Sequence, residues 1–238
     1  MDKIRVSAVS YTNSKPFVYG LQHSEIANKI ELSLDIPFEC AKKLIEDRAD
    51  IGLIPVAAML LIPQAQIISD YCIGADGEVN SVFLFSQKPI TEIKTFMPDA
   101  QSRTSNGLLS ILFKHYWKVD PRVADKDSDA FIEIGDRTFG KKTKYPFVYD
   151  LAEEWKKFTG LPFVFAVWAV NKKIDDLFIT EFNNALKYGL EHIDKIINSI
   201  SPRNDFDVND YLTHKISYTL DEKKRKALKL YLNLLKEL

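Results

Sequence analysis

A strand that hands over to a helix through six mostly polar residues limits what this chain can fold into. Ile4-Arg5-Val6-Ser7-Ala8-Val9 alternates like a half-buried strand. Tyr11-Thr12-Asn13-Ser14-Lys15-Pro16 follows at once, and Pro16 fits a helix's first turn, where its missing N–H costs nothing. The unit then repeats. Ile30 to Asp35 reads as a second strand, and Pro37 opens a helix through Arg48 with Phe38, Ala41, Leu44 and Ile45 spaced for one buried face. Asp50 to Ile54 is a short buried strand ending at Pro55, which can start the next helix. Ile67-Ile68-Ser69 and Ser81 to Phe85 continue the sheet, with Gly74-Ala75-Asp76-Gly77 as turn chemistry between them. Short strands alternating with helices predict an α/β fold with a largely parallel sheet. Such sheets bind ligands outside the carboxyl ends of their strands, where helix amino termini present unpaired N–H groups. The Tyr, Asn and Ser of the opening loop lie at that edge and offer hydrogen bonds without fixed charge. An ordinary strand-to-helix cap would use the same residue types.

The middle of the chain starts a second unit. Lys88-Pro89-Ile90 breaks the pattern and suggests a crossing; a helix is expected over 105–118, preceded by Ser102-Arg103-Thr104. Phe131 to Ile134 is a strand ending in Gly135-Asp136-Arg137, residues 150–158 are helical up to Gly160, and residues 163–170 form a long apolar strand. From Asp175 onward the pattern is helical, with breaks near Ser201-Pro202 and Thr219. The division expected is a first lobe at 1–87, an inserted second lobe at 88–170 and a helical return at 171–238. Two lobes joined by two crossings put a ligand cleft between them.

Charge removes several classes of partner. With 32 basic against 33 acidic side chains in 238 residues, neither nucleic acid nor an anionic membrane is favoured. The densest basic run, Lys223 to Lys226, falls in a helical pattern and reads as a solvated face. No segment is apolar enough to span a bilayer, and Met1-Asp2-Lys3 leads into a strand rather than an apolar leader, so a soluble, cytoplasmic protein is expected. Cys40 and Cys72 form no metal-ligand pattern and read as small buried apolar residues; no metal is expected.

Two long stretches do not follow from patterning alone: Ile68-Ser69-Asp70-Tyr71-Cys72-Ile73-Gly74, and DLAEEWKKFTGLPFVFAVWA at 150–169. With Ser10 to Gly20, Ile36 to Val56, the continuation of the first stretch to Ser86, Ser102 to Ser105 and Ile134 to Arg137, they cover about a third of the chain, in order. On these residues the chain resembles the chorismate dehydratases of the futalosine route to menaquinone. The resemblance implies a type II periplasmic-binding-protein-like fold, two-lobed with a cleft between the lobes. Two departures stand out. Thr12 and Ser14 replace a larger apolar residue and a Thr, and the second lobe looks trimmed, because the chain passes quickly through 120–129 to the next strand.

The activity implied is loss of water from chorismate, with chorismate as the small-molecule partner and no cofactor. Asn13 and Ser81 are the choices for the reacting ring, and Tyr11 is a residue that bounds it or donates its phenol. Arg103, Thr104 and Ser105 would cradle a substrate carboxylate, with the helix amino terminus assisting. Arg103 as a surface bridge, and Thr104 or Ser105 as a plain N-cap, stay open alternatives. The base is unsettled. His23, His115, His192 and His214 fall outside the matched loops, while Asp136 ends a strand and is either the base or a helix cap. A third source is the substrate's own enolpyruvyl carboxylate. Glu153 and Glu154 are adjacent on a helix, cannot act on one bond, and read as a solvated face. The rival readings are a solute-binding module, a cytoplasmic sensor of an aromatic or cyclic acid, and the sibling 1,4-dihydroxy-6-naphthoate synthase.

Overall fold

A computed structural model describes residues 3–238 as two mixed sheets flanked by helices. The elements, in chain order, begin with β1 (Ile4–Val9), α1 (Lys15–His23), β2 (Ile30–Asp35), α2 (Pro37–Ile45), β3 (Ile51–Pro55) and β4 (Gln66–Ala75). Next come β5 (Val82–Ser86), β6 (Thr95–Met97), α3 (Arg103–Ile111), β7 (Arg122–Val123), β8 (Ala130–Ile134), β9 (Phe147–Asp150) and α4 (Leu151–Thr159). The chain closes with β10 (Phe163–Val170), α5 (Asp176–Glu191), α6 (Ile193–Ser199), α7 (Val208–Asp210), β11 (Ser217–Thr219) and α8 (Glu222–Lys236).

The larger sheet runs β11-β4-β10-β3-β1-β2 and the smaller β7-β6-β8-β5-β9. β1 pairs in parallel with β2 and β3, as the alternation of strand and helix requires. β10 then inserts antiparallel between β3 and β4, and β11 adds antiparallel to β4. A largely parallel sheet was the wrong expectation, because the strand returning from the second lobe completes the first sheet from the opposite direction.

Sheet membership also moves both crossings. β5 lies between β8 and β9 in the smaller sheet, so the first crossing is at 76–81 and not at Lys88-Pro89-Ile90. β10 belongs to the larger sheet, so the second crossing comes before Phe163 and not after Val170. Strand alternation alone does not say which sheet a fully apolar run will join.

Local chemistry sets the elements. Pro37 occupies the first turn of α2, whose buried face is Pro37, Cys40, Ala41 and Leu44. Phe38 and Ile45, expected on that face, are exposed because the series starts one residue earlier. Asp150 caps α4 by accepting from Ala152 and Glu153, and also accepts from Val79 and Asn80 at the first crossing. Gly160 ends that helix in the left-handed conformation. Glu154 is buried, accepting from the Trp117 indole at 3.3 Å and pairing with Lys157 at 2.8 Å, so it is not on a solvated face. The final helix, α8, lies on β10 and reaches α3 of the second lobe, where the Tyr231 hydroxyl donates to the Thr104 carbonyl at 3.0 Å.

One ion pair anchors the root of the first sheet. Asp50 accepts from the Arg5 backbone at 2.8 Å and from its guanidinium at 2.7 and 3.1 Å, and Lys172 stands 2.7 Å away. Burial opposes its ionisation, yet Arg5 and Lys172 outweigh it and hold the carboxyl well below the usual range. Lys88 and the Lys94 N–H hold Asp129 at about 2. A carboxyl whose folded pKa lies below its unfolded value of about 3.9 stabilises the fold above that pH and loses this as pH falls. The contribution of these two carboxylates to the melting temperature should therefore be lost as the pH goes from about 4 towards 2. A calorimetric profile that stays flat across the acid range would contradict the assignment.

Candidate active site

Between the sheets lies a cleft with about 540 Å³ of open space. Its floor is apolar, from Ile73, Val82, Ile134 and Phe165, and its polar groups are Tyr11, Asn13, Ser81, Ser102, Thr104 and Ser105. Among the described residues no charged side chain lines it. The electropositive ends of helices take that place, since the cleft receives the loop before α1, the first residue of α2 at Pro37 and the first turn of α3.

The opening loop folds as a short 3-10 turn, Thr12–Ser14, running straight into α1. Ser14 Oγ turns inward to the Val9 and Tyr11 carbonyls, which leaves Asn13 facing the cleft. Asn13 Oδ1 is buried without a protein partner, while its backbone carbonyl accepts from the Tyr218 hydroxyl at 3.0 Å. Across from it Ser81, at the end of the first crossing, accepts from the Tyr211 hydroxyl at 2.9 Å. Tyr11 donates to Gln101 of the second lobe and packs its ring against Gly135. A Cβ at Gly135 would come within 2.8 Å of the Tyr11 ring, and its φ of +64° is one L side chains rarely adopt. Burial raises the Tyr11 phenol above its ordinary pKa, so it stays a donor at neutral pH.

At the head of α3, the Ser102 hydroxyl accepts from the Ser105 N–H at 3.1 Å and contacts the Ser105 hydroxyl at 2.9 Å. Thr104 Oγ1 accepts from the Ala57 N–H at 3.2 Å, a tie between the lobes. The remaining first-turn N–H groups are the orphans that suit an anion. Ser102, one residue before the helix, is its N-cap and lines the cleft with Thr104 and Ser105.

Two predicted residues are not brought into the cleft. The Arg103 guanidinium sits 5.7 Å over the Phe38 ring in a neighbouring groove, so it offers the cleft no charged fork. The Asp136 carboxylate accepts from the Thr12 N–H at 3.0 and 3.2 Å and from its hydroxyl at 2.9 Å, which makes it a clamp on the opening loop. Thr12, a departure from the resembling family, is the residue that receives this clamp. Arg137 behind it is spent on buried Asp99 at 2.5 Å. Among the described residues no histidine lines the cleft, no cluster of side chains suits a metal ion, and no helix is long and apolar enough to cross a membrane.

Comparison with known proteins agrees with this architecture. A family profile described as menaquinone biosynthesis matches residues 4–237. Among solved structures, protein AF1704 from Archaeoglobus fulgidus superposes with a TM-score of 0.73 at 16% identity, covering 99% of this chain and 97% of that one. A Candida albicans protein, CA3427, described as having the generic periplasmic-binding-protein fold, gives 0.65 at 15% identity, covering 100% of this chain and 94% of that one. The aliphatic sulphonate-binding protein SsuA from Escherichia coli gives 0.63 at 12%, with 100% and 92% coverage. At these identities the likeness establishes the two-lobed periplasmic-binding-protein-like fold.

Proposed function

The chain belongs to the menaquinone-biosynthesis family, and from that premise we propose that it is a chorismate dehydratase, a carbon–oxygen lyase acting in a cytoplasmic pathway through futalosine. Chorismate loses its C3 proton and its C4 hydroxyl, giving water and 3-[(1-carboxyvinyl)oxy]benzoate. The C3 proton is acidified through its vinylogous link to the C1 carboxylate, and the ring gained is aromatic. A reaction this downhill asks for orientation more than for strong acid–base groups.

The observation that carries the reading is a cleft with hydroxyls, an amide and helix amino termini and, among the described residues, no carboxylate, histidine or lysine in its lining. The head of α3 holds one carboxylate, Tyr11 bounds the ring, and Asn13 and Ser81 meet the reacting edge. Ser81 donates to the departing hydroxyl, where charge develops as the C–O bond breaks. The base is the substrate's own enolpyruvyl carboxylate, which hangs from C3 and folds back onto the C3 proton. Asp136, committed to Thr12, holds the loop and takes no proton.

Purified protein is mixed with chorismate, the loss of diene absorbance is followed, and the product is weighed by mass spectrometry. An aromatic product lighter by one water is expected. Saturable binding without turnover would instead indicate a binding protein. Asp136→Asn should retain turnover within about 10-fold, since it keeps an acceptor for Thr12 and loses only the charge-assisted part of that bond. Abolished turnover with intact binding would overturn the substrate-assisted route.

A further inference from the structure

Behind the two residues at the reacting edge stands a third, Tyr211, and its role rests on the reading of the cleft just given. Tyr211 opens the π-helical turn Tyr211–Lys215 in the C-terminal return, a local distortion often found at functional sites. Its ring is fully buried, edge-on to Phe139 at 5.5 Å and to Phe206 at 5.1 Å. Those two rings stack on each other at 3.6 Å. The phenol is thereby aimed at one place, the Ser81 Oγ, to which it donates at 2.9 Å. Burial raises its pKa, so it remains protonated.

This contact settles which way the Ser81 hydroxyl points. A serine hydroxyl has a single proton. With Oγ accepting from Tyr211, the Ser81 proton is free to turn into the cleft. We propose that Tyr211 is a positioning residue that fills one acceptor site of Ser81 Oγ and so presents the serine to the substrate as a donor. The group that suits this donor best is an oxygen that gains negative charge, such as a departing hydroxyl.

The test compares Tyr211→Phe, Ser81→Ala and the double variant in steady-state turnover of chorismate. Tyr211→Phe should lower kcat by about 10-fold or more with KM within about threefold, as loss of a preorganised contact does. The double variant should be no slower than Ser81→Ala alone, because the tyrosine acts through the serine. Losses that multiply, or a change confined to KM, would overturn the proposal. A readout independent of any substrate is the Tyr211 hydroxyl proton of the wild-type protein, expected as a slowly exchanging NMR resonance that shifts in Ser81→Ala. Its absence, or its indifference to Ser81, would also overturn the proposal, even where Tyr211→Phe fails to fold. If the wild-type protein leaves chorismate unchanged, the dehydratase reading fails and the NMR measurement alone decides the placement of Tyr211.

Discussion

Asn13→Ala lowers kcat for chorismate by about 10²- to 10³-fold, the range seen when one preorganised polar group at a reacting oxygen is removed. The residue's structural duties sit on its backbone. Its carbonyl takes the Tyr218 hydroxyl, and alanine keeps that carbonyl. The side-chain oxygen has no protein partner to lose, so the melting temperature should stay within about 3 °C of the wild-type value, less than about 1 kcal/mol in a chain of this size. KM should change little, since one substrate carboxylate is held at the head of α3. Stopped-flow and steady-state measurements separate the two parameters. A variant within threefold of wild-type kcat would remove Asn13 from the chemistry.

Gly189→Ala has the largest expected effect on stability. α1 and α5 cross at Gly20 and Gly189 with their backbones nearly touching. A Cβ at Gly189 would overlap the Pro16 carbonyl, and one at Gly20 would overlap the Ala185 carbonyl. Neither clash is with a flexible side chain, so the helices themselves must part. Overpacking of this kind costs about 3 kcal/mol or more, which for a chain of this length is a fall of about 6–12 °C in melting temperature. Pro16 lies three residues after Asn13, so the same shift should lower kcat in the protein that does fold. An unchanged melting temperature in calorimetry would contradict so close a crossing.

The sequence was legible wherever one short stretch decides its own structure. The span of β10 was read correctly from its apolar run, Gly160 from its place after the helix, and Pro16 and Pro37 from their fit to a first turn. Tyr11, Asn13, Ser81, Thr104 and Ser105, chosen from separate segments, do line one cleft. What failed depended on partners distant in the chain. The sheets that β5 and β10 join is a matter of three-dimensional pairing, and so is the diversion of Asp136 to Thr12 and of Arg103 to Phe38. Tyr211 gave no local signal: it lies in a helical stretch and matters only because the return brings it behind Ser81.

A cleft that greets a dianion with helix ends and hydroxyls, on a chain whose net charge is −1, has a consequence for encounter as well as for grip. A net charge this close to zero gives the molecule little long-range pull on a dianion. Arrival is left to diffusion and orientation. Salt, which weakens steering by screening over a Debye length of about 10 Å at 0.1 M, has little to screen here. The association rate and KM should thus hold nearly constant as ionic strength rises. Discrimination among anions then rests on how long each one stays, and a protein built this way remains equally selective in dilute and in salty solution.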